Sequence, residues 1–416
     1  MKKMKVFTLI LGLFLCINLA YTQFQPCLYA PTGQDLWDVH FIDEDIGVAV
    51  GDSGTIIRST DGGLFWYQVM ENDTINFKKV KFFNAQVGLA IGSDIFKTTD
   101  AGKSWMRVDL QNDRFFDLEI VDESTCLVTG VPTALLKSTD FGETWEVLVD
   151  QNIRHDDYFN YDFGLLSFVD KNTGYNVSYG FNLHYKILKT IDGGQSWDTI
   201  YREITQAVNY ELTTLEAFSF PEENLGFKGG WYNPLLQKTT DSGLTWNETT
   251  EDIGHISIND FHITKEMPNA YFACGWHNKI YKSSNQGDTW PPMQVDSFRT
   301  PYGWNKAGYL GIFFLNDSLG WVVGNYGTIL KTKAATPGDL EQMELSIIPN
   351  PSFGNFLIYN PQNIDIKKRT LLDQSGRVLI KSIPENVFNI GNYPSGLYYL
   401  KIETERGVVV KKIIKN

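Results

Sequence analysis

Carboxylates and arginines are the side chains of this sequence that could act chemically on a bound molecule. Asp38 and Asp260 occupy matching positions in two similar segments of the chain. Two carboxyl groups can hydrolyse a glycosidic bond. A separation of about 5 Å retains the configuration of the sugar, and a somewhat larger separation inverts it. Guanidinium groups bind carboxylates through two parallel hydrogen bonds. Four arginines fall between similar segments: Arg114, Arg154, Arg202 and Arg299. One interpretation of these residues is a glycoside hydrolase.

Motifs for a metal, a cofactor or a nucleophile are absent from the sequence. The six histidines never form His-Glu-x-x-His, and neither Cys-x-x-Cys nor Gly-x-Ser-x-Gly occurs. The acidic run 43–45 is not followed by a calcium-binding loop, so a solvated turn explains it better. We therefore expect no metal and no cofactor, and we assign no catalytic residue.

The elements that position these side chains form a repeat. A nine-residue motif from Lys97 to Trp105 recurs along the chain, and its opening basic residues are 39 to 52 residues apart. This is the period of propeller blades. The opening residues are Arg58, Lys97, Lys137, Lys189, Lys238, Lys282 and Lys331. The turn position is held by Asp61, Asp100, Asp140, Asp192, Asp241 and Asn285, and the closing position by Trp66, Trp105, Trp145, Trp197, Trp246 and Trp290.

The chemistry of the motif predicts a hairpin. An Asp side chain accepts hydrogen bonds from nearby backbone N–H groups and fixes a tight turn. The Gly two positions later supplies a conformation that a Cβ disfavours, and the Trp covers the turn. Short alternating runs such as 37–41 and 77–83 precede each motif and predict strands. Each unit therefore holds three strands, the turn, and a fourth strand that begins at the Trp.

These units resemble the Asp-box, or BNR, repeat of sialidases, sortilin-type receptors and xyloglucan-degrading enzymes. Their Gly-x-x-x-Gly blades resemble most closely the propellers related to photosystem II assembly factors. The resemblance covers residues 35–333 and implies a scaffold or assembly role, and the seven units of the repeat predict an all-β fold with a seven-bladed propeller. Tyr201, Glu203, Tyr210 and Glu211 are residue types that sialidases use, but the Arg-Ile-Pro string of sialidases is missing. The seventh unit lacks its turn and fourth strand, and residues 24–29 could supply that strand.

The last segment, residues 343–416, has a different pattern, which predicts a small antiparallel β-sandwich. Its motif residues, in order, are Pro349, Asn350, Pro351, Gly354, Gly376, Gly396, Lys411 and Lys412. This order resembles the type IX secretion system C-terminal sorting domain, type A, of Bacteroidota. The resemblance implies the type IX secretion machinery as a partner. An ordinary binding sandwich is the alternative.

Charge and processing signals predict where the protein resides. Residues 1–22 have the basic start, apolar stretch and small-residue site of a signal peptide. We divide the rest into a propeller (23–333), a linker (334–342) and the sorting domain (343–416). Residues 23–337 hold 23 Lys+Arg against 41 Asp+Glu, which argues against nucleic acid. No second long apolar run is present, so we expect no membrane span in the mature chain. The expected location is secreted or cell surface, reached through the periplasm.

A ligand surface is predicted at the propeller face opposite the Asp turns. Loops between second and third strands carry Trp231, Tyr232, Trp276, His277 and Tyr326, and loops between units carry Arg202, Arg299, Tyr302 and Trp304. Aromatic side chains on such loops stack on sugars or grip peptides, although packing at blade edges is an alternative. We expect a non-catalytic module that binds polysaccharide or protein, with the glycoside hydrolase as its rival. The three cysteines after the signal peptide, Cys27, Cys126 and Cys274, are expected to be buried small side chains.

Overall fold

The computed structural model consists of short strands. In the described residues, the one helical element is a 3-10 turn, Asn325–Gly327. The all-β prediction is confirmed. No helix in the described part of the chain is long and apolar enough to span a membrane. The structure describes residues 23–27, 30–72, 74–110, 114–131, 135–149, 162–179, 185–203, 215–230, 236–249, 257–264, 266–268, 270–296, 299–300, 303–304, 308–333, 345–360, 365–373, 377–404 and 407–416.

Thirty strands lie in the described residues of the repeat region, and most fall into groups of four. In chain order they are β1 (Gln23–Pro26), β2 (Leu36–Phe41), β3 (Gly47–Gly51), β4 (Ile56–Ser59), β5 (Tyr67–Met70), β6 (Phe77–Phe82), β7 (Gly88–Gly92), β8 (Ile95–Thr98), β9 (Met106–Val108), β10 (Arg114–Ile120), β11 (Cys126–Val131), β12 (Leu135–Ser138), β13 (Glu146–Val149), β14 (Asp162–Phe168), β15 (Gly174–Tyr179), β16 (Tyr185–Thr190), β17 (Asp198–Glu203), β18 (Leu215–Glu222), β19 (Leu225–Gly230), β20 (Gln237–Thr239), β21 (Asn247–Glu248), β22 (Ile258–His262), β23 (Tyr271–Gly275), β24 (Lys279–Ser283), β25 (Gln294–Val295), β26 (Arg299–Thr300), β27 (Gly303–Trp304), β28 (Tyr309–Phe314), β29 (Gly320–Gly324) and β30 (Thr328–Lys333).

The described strands form a ring of antiparallel sheets. The first five sheets are β2–β5, β6–β9, β10–β13, β14–β17 and β18–β21, the sixth is β22–β24, and the seventh is built on β28, β29 and β30. The first strand of each sheet is innermost. Each inner strand contacts those of the sheets before and after it, and β28 contacts β2. Apolar side chains of neighbouring sheets pack between them, for example Phe41 against Trp321, whose rings stack at 3.4 Å. The propeller is therefore a closed ring.

The N-terminal strand closes the ring. β1 pairs antiparallel with β30, with Gln23 opposite Lys333 and Pro26 opposite Leu330. It thereby supplies the outer strand that the seventh unit lacks, as the sequence predicts. Phe24 is fully buried and packs edge-on against Phe314 of β28. Closure thus joins the two ends of the repeat region through backbone hydrogen bonds and a buried ring.

The sixth unit departs from the predicted pattern. The segment after Trp290 makes only a short antiparallel contact with β24, one bridge of Tyr281 with Pro292, in which Met293 N donates to Ile280 O at 2.8 Å and Lys282 N donates to Pro291 O at 3.2 Å. The next two residues, β25, pair in parallel with β1 of the seventh sheet. The expectation that each unit keeps its fourth strand is therefore wrong here, because this strand leaves its own sheet to pair with β1 and connects the last two sheets.

The basic residue that opens each repeat motif reaches into the next sheet. Arg58 Nε donates to Ala101 O at 2.8 Å, and Lys137 Nζ donates to Gly193 O at 3.1 Å. Other copies bind the neighbouring sheet in the same way: Lys97 to Glu143, Lys189 to Glu223, Lys238 to Asp288, and Lys282 to the carbonyl of Asp317. The repeated cation therefore ties one sheet to the next around the ring.

The C-terminal segment is a separate sandwich of two antiparallel sheets. Its strands are β31 (Ser346–Ile348), β32 (Asn355–Tyr359), β33 (Ile366–Leu372), β34 (Val378–Ile380), β35 (Val387–Asn389), β36 (Gly396–Thr404) and β37 (Gly407–Lys415). The sheets run β31-β32-β35 and β34-β33-β36-β37 around one core that includes Phe356 and Leu400. The fold predicted for this segment is thereby confirmed.

Part of the predicted sorting motif lies where the start of this segment meets its last strand. The Asn350 side chain bonds twice to β37, donating to Lys412 O at 2.5 Å and accepting from Ile414 N at 2.7 Å. Asn350 stands between Pro349 and Pro351. Its two hydrogen bonds therefore attach the start of the segment to the last strand. Gly354 and Gly396 have positive φ, and Lys411 lies on β37. Gly376 lies outside the described residues.

Candidate functional site

Antiparallel strand order gives the propeller two distinct ends. We call the end with the hairpins between third and fourth strands the turn face. The opposite end, the loop face, carries the turns between second and third strands and the starts of the inner strands. Trp276 and His277 follow β23, and Tyr326 follows β29, so these predicted ligand residues lie on the loop face.

The turn-face hairpins use their motif side chains internally. In the second sheet, Asp100 Oδ1 accepts from Ser104 N at 2.9 Å and from Thr98 Oγ1 at 2.8 Å. Gly102 N donates to Thr98 Oγ1 at 3.0 Å, and Trp105 Nε1 donates to Gly102 O at 3.3 Å. Equivalent bonds occur at Asp61, Asp140, Asp192, Asp241 and Asn285. The motif thus builds the hairpin and leaves little of itself for a ligand.

A β-bulge at the start of every inner strand shapes the loop face. The register of all seven inner strands shifts at this point, for example between Leu36 and Asp38, and between Phe77 and Lys79. A bulge adds a residue and redirects its side chain. We call the extra positions the bulge ring: Trp37, Lys78, Phe116, Gly164, Glu216, Asn259 and Leu310. The bulge ring lies at the starts of the inner strands, at the loop-face end of the channel that these strands surround.

Two contacts fix the first part of the bulge ring. Lys78 Nζ lies 2.8 Å from the centroid of the Trp37 ring, on the neighbouring sheet. The indole Nε1 of Trp37 donates to Asp52 Oδ1 at 2.8 Å. Burial lowers the pKa of Lys78 to about 8; Asp52, Glu216 and Asp35 raise it, and Arg114 lowers it further. A lysine is therefore held on an indole face at the opening, close to charges from several sheets.

A polar network holds the adjoining loops. The Asp35 carboxylate accepts from Tyr326 N at 2.9 Å and from Asn325 Nδ2 at 2.7 Å. Gly308 N donates to Asn325 Oδ1 at 3.0 Å, and a Cβ at Gly308 would lie 3.1 Å from the Trp276 ring. The loops of the sixth, seventh and first sheets therefore form one preorganised rim around the opening.

Two of these loops present ring side chains from unusual backbone conformations. Tyr326 has a φ of 59° and is 37% exposed, and His277, with a φ of 60°, is also exposed. Positive φ is uncommon outside glycine and costs about 1–2 kcal/mol in an ordinary L-residue. The strain at Tyr326 is compensated in part by the hydrogen bonds to Asp35.

Below the opening, the channel between inner strands contains a polar cavity of about 340 Å³. Asp38 accepts from Val80 N of the next sheet at 2.9 Å, and Asp260 accepts from Ile312 N at 3.0 Å. Lys79 binds Asp260 at 3.4 Å, and Lys81 is paired with Glu119. The bonds of Asp38, Glu119 and the Asp260 carboxylate to Ile312 link neighbouring inner strands, whereas the Lys79–Asp260 ion pair crosses the channel from the second sheet to the sixth.

Titration in the channel follows from burial. Desolvation raises the pKa of Asp38 to about 6, with Lys79 opposing and Asp260 adding to the increase. Burial also lowers the pKa of His40 to about 3 and that of His262 to about 4. The predicted pair, Asp38 and Asp260, therefore shares one cavity, but each carboxylate already binds backbone of the adjoining sheet. The described residues contain no group of three or more His, Cys, Asp or Glu that could hold a metal ion.

The remaining predicted residues are only partly described. Arg202 is exposed on β17, next to Tyr201 and Glu203, which are hydrogen-bonded to each other. For Arg299 and Trp304 only the backbone is described, in the short hairpin β26–β27. Trp231, Tyr232, Tyr302, Arg154, Tyr210 and Glu211 lie outside the described residues.

Sequence reasoning missed the bulge ring. Trp37, Lys78 and Phe116 stand four residues before the aromatic or aliphatic residue that ends each inner strand. The residue before this position is apolar or aromatic in every unit, whereas the position itself varies in chemistry, and that contrast was the signal available. As predicted for small buried side chains, Cys126 and Cys274 are buried, and Cys27 is half-buried.

Two family models match parts of the chain. Residues 21–153 match the photosynthesis system II assembly factor YCF48, and residues 346–416 match the secretion system C-terminal sorting domain. No protein with curated annotation matches the chain. A sorting domain of this kind points to secretion or to the cell surface.

Solved structures show the same fold at low sequence identity. YCF48 from Cyanidioschyzon merolae is 17% identical with a TM-score of 0.58, over 75% of this chain and 99% of that one. A YCF48 solved with a D1 peptide is 19% identical with a TM-score of 0.54, over 75% and 96%. PorZ, a surface component of the type IX secretion system of Porphyromonas gingivalis, is 12% identical with a TM-score of 0.52, over 94% and 61%. The chain thus joins a propeller similar to YCF48 to a C-terminal segment similar to secretion system sorting domains.

Proposed function

We propose that this protein is a secreted or cell-surface scaffold whose propeller binds a peptide segment of a protein partner on the loop face, without catalysis. The observation that supports the proposal best is Tyr326. Tyr326 has a positive φ and is 37% exposed, and such backbone strain is concentrated at functional sites.

The surroundings of Tyr326 support the same conclusion. Asp35 fixes the loop through two hydrogen bonds, so the ring is presented from a rigid rim. Rigid aromatic side chains with a polar tip are favoured anchors at protein interfaces, because little side-chain entropy is lost on binding. His277 and Trp276 lie on the neighbouring loop and extend the surface.

The comparisons make a peptide the first ligand to test. A propeller of this fold, YCF48, has been solved with a D1 peptide. The low identity carries over the fold alone, so the partner of this chain has to be found by experiment. The match of the C-terminal segment to secretion system sorting domains supports delivery out of the cell, and the type IX secretion machinery is the proposed route.

Binding to peptide arrays and glycan arrays, measured with the full chain, tests the proposal. We expect peptide binding that Tyr326→Ala weakens by about tenfold, since anchor truncation at an interface costs more than 1 kcal/mol. Leu244→Ala is the matched control, because Leu244 is 58% exposed on the turn face. Glycan binding that is lost in Tyr326→Ala would instead identify a polysaccharide module, and peptide binding unaffected by Tyr326→Ala would place the site elsewhere.

A glycoside hydrolase is the second candidate, and Asp38 is the observation that favours it. A carboxyl group with a pKa of about 6 can serve as a general acid near neutral pH. Asp260 in the same cavity would be its partner. Turnover of chromogenic glycosides that Asp38→Asn and Asp260→Asn both abolish would support hydrolysis and contradict a purely binding role.

A further inference from the structure

The polar cavity in the channel lies on the turn-face side of the bulge ring. Its lining begins at Asp38, Lys79 and Asp260 and extends to Thr264, which follows inner strand β22, and it includes no member of the bulge ring. At the loop-face end of the cavity, the Lys79–Asp260 ion pair crosses the channel at 3.4 Å. Lys81, two residues nearer the turn face, has 34% of its side chain exposed, against 22% for Lys79. A ligand therefore reaches this cavity from the turn face.

Two buried polar atoms of the cavity have no hydrogen-bond partner within the described part of the chain. They are Nε2 of His262 and Oγ1 of Thr264, and both residues line the cavity. Burying a polar atom without a partner is costly, and most buried polar atoms in proteins are hydrogen-bonded. A molecule that entered the cavity and bonded to these two atoms would remove that cost.

The walls of the cavity differ in chemistry from one side to the other. The Phe313 ring lies between two imidazoles, with its centroid 4.6 Å from that of His40 and 5.0 Å from that of His262. The sixth, seventh and first sheets thus supply a wall of rings. On the opposite side, the fourth and fifth sheets contribute Ser167 and Ser219. Ser167 Oγ accepts a backbone hydrogen bond at 2.8 Å, and its own O–H can still donate. A molecule with an apolar face and several hydroxyls matches both sides.

Charge disfavours an ionic ligand in this cavity. Two lysines and four carboxylates line it: Lys79, Lys81, Asp38, Asp117, Glu119 and Asp260. The excess of carboxylates opposes the entry of an anion. At the wall of rings, burial holds the pKa of His40 and that of His262 below the ordinary value, and Lys81 lowers both further, so additional positive charge is also opposed there. A neutral polar molecule therefore fits best.

We propose that the channel cavity is a second binding site, which takes one neutral sugar ring from the turn face. The apolar side of the sugar packs on Phe313, and its hydroxyls bond to His262, Thr264 and the two serines. The cavity volume of about 340 Å³ is at the small end of the range of ligand pockets, as a single ring requires. The sugar is a free monosaccharide or the end residue of a glycan. This site requires no hydrolysis, and it does not depend on the peptide partner proposed for the loop face.

The first test titrates the full chain with glucose, galactose and mannose, and with their methyl glycosides, by ligand-observed NMR. We expect saturable binding of at least one hexose, and Thr264→Val and Ser219→Ala should each weaken it about two- to tenfold through the loss of one hydrogen bond. Thr55→Val is the matched control, because Thr55 Oγ1 is also buried without a partner but lies in the β3–β4 turn of the loop face, outside the cavity. It should leave sugar binding unchanged. A methyl glycoside that binds as well as its free sugar identifies the end of a glycan as the ligand, and binding of the free sugar alone identifies a monosaccharide.

The second test changes the ligand. The hexose that binds best is compared with its 6-carboxylate and 6-amine derivatives, and with glycerol, which has hydroxyls but no ring. All three should bind more weakly than the hexose, the first two because charge is disfavoured in the cavity and glycerol because it cannot pack on Phe313. A charged derivative that binds more tightly than the hexose, or glycerol that binds equally well, would contradict a site for a neutral sugar ring.

Failure of the channel site can be distinguished from failure of the loop-face proposal. No saturable binding of any hexose would mean that the cavity holds water only, and would overturn the sugar site whatever the peptide arrays show. Sugar binding that Tyr326→Ala removes and Thr264→Val leaves intact would place the sugar on the loop face and also overturn it. Sugar binding weakened by Thr264→Val and unchanged by Tyr326→Ala supports the channel site even if no peptide binds.

Discussion

A buried lysine between the fourth and fifth sheets should make the protein less stable than the same fold with an apolar residue there. Lys228, on β19, has no exposed surface. Its Nζ donates to the Tyr185 hydroxyl at 2.8 Å and lies 4.4 Å from the Tyr201 ring and 4.7 Å from the Trp246 ring. Burial lowers its pKa to about 7, and Glu203 opposes the shift. We predict that Lys228→Met raises the free energy of unfolding at neutral pH.

The size of the effect follows from proton linkage. The unfolded lysine titrates near 10.4, about three units above the folded value, and each unit is worth about 1.4 kcal/mol. Between the two values the unfolded state keeps a proton that the folded state has lost, so stability rises with pH. Below about pH 7 both states are charged, and the folded state bears the full cost of roughly 4–5 kcal/mol. Methionine avoids this cost but loses the bond to Tyr185, worth about 1 kcal/mol. A net gain of about 3 kcal/mol is expected at pH 7.

Urea denaturation at several pH values between about 7 and 8.5 measures this prediction. The difference in stability between Lys228→Met and the parent should shrink by about 1.4 kcal/mol per pH unit as pH rises. Lys78 also titrates in this window, but it does so in both proteins and cancels in the difference. Lys103→Met, at an exposed position, controls for the loss of one charge. A variant that is less stable at pH 7, or a difference independent of pH, would show that the aromatic faces stabilise the charged lysine and would refute the reasoning.

Four further changes test the site and the fold. Tyr326→Gly should stabilise the protein by about 1 kcal/mol by relieving positive φ while weakening peptide binding; a destabilised variant would contradict the strain argument. Asp100→Ala should cost about 2 kcal/mol by leaving backbone donors unpaired, whereas Asp100→Asn should cost much less, because Asn285 makes the equivalent bond to Thr289 N at 3.0 Å; equal losses in urea denaturation would count against this. As pH falls from about 6.5 to 4, the protein should lose stability because only the unfolded His262 takes up a proton in this range. His262→Phe should lessen that loss by up to about 3 kcal/mol. Phe24→Ala should cost about 3–5 kcal/mol, and a near-neutral thermal or urea midpoint would mean that β1 does not close the ring.

The repeating part of the fold could be predicted because each unit encodes its own hairpin. The spacing from Asp100 to Trp105 requires a tight turn, and the turn separates strands in the same order in every unit. Closure by residues near Phe24 was also predictable, since the seventh unit visibly lacks a strand. The detour of β25 was not predictable, because leaving one sheet for another depends on pairing with β1, and sequence spacing does not encode that choice.

The candidate site was less predictable because bulges change direction without changing residue type. Trp37 and Asp38 are consecutive, and an unbroken strand would send their side chains to opposite sides. The shift of register next to Leu36 breaks that alternation. A reader of the sequence could identify Asp38 as a channel residue through its match to Asp260. Only the pairing register of the inner strands shows that Trp37 and Lys78 lie at the opening on the loop face.

The two ends of the ring therefore differ in what their side chains are free to do. On the turn face, Asp100 and its equivalents bind their own hairpins, and Lys97 and its equivalents bind the next sheet, so a substitution there costs stability. In the channel, Asp38 and Asp260 are used in the same way between inner strands. The bulge ring is less uniform: Trp37 donates to Asp52 and Asn259 donates to the carbonyl of Tyr309, and the residue type ranges from Gly to Lys to Glu from one sheet to the next. A position whose residue type is not repeated can change chemistry while the repeated bonds hold the ring, so this is where a propeller of this type can acquire a ligand of its own.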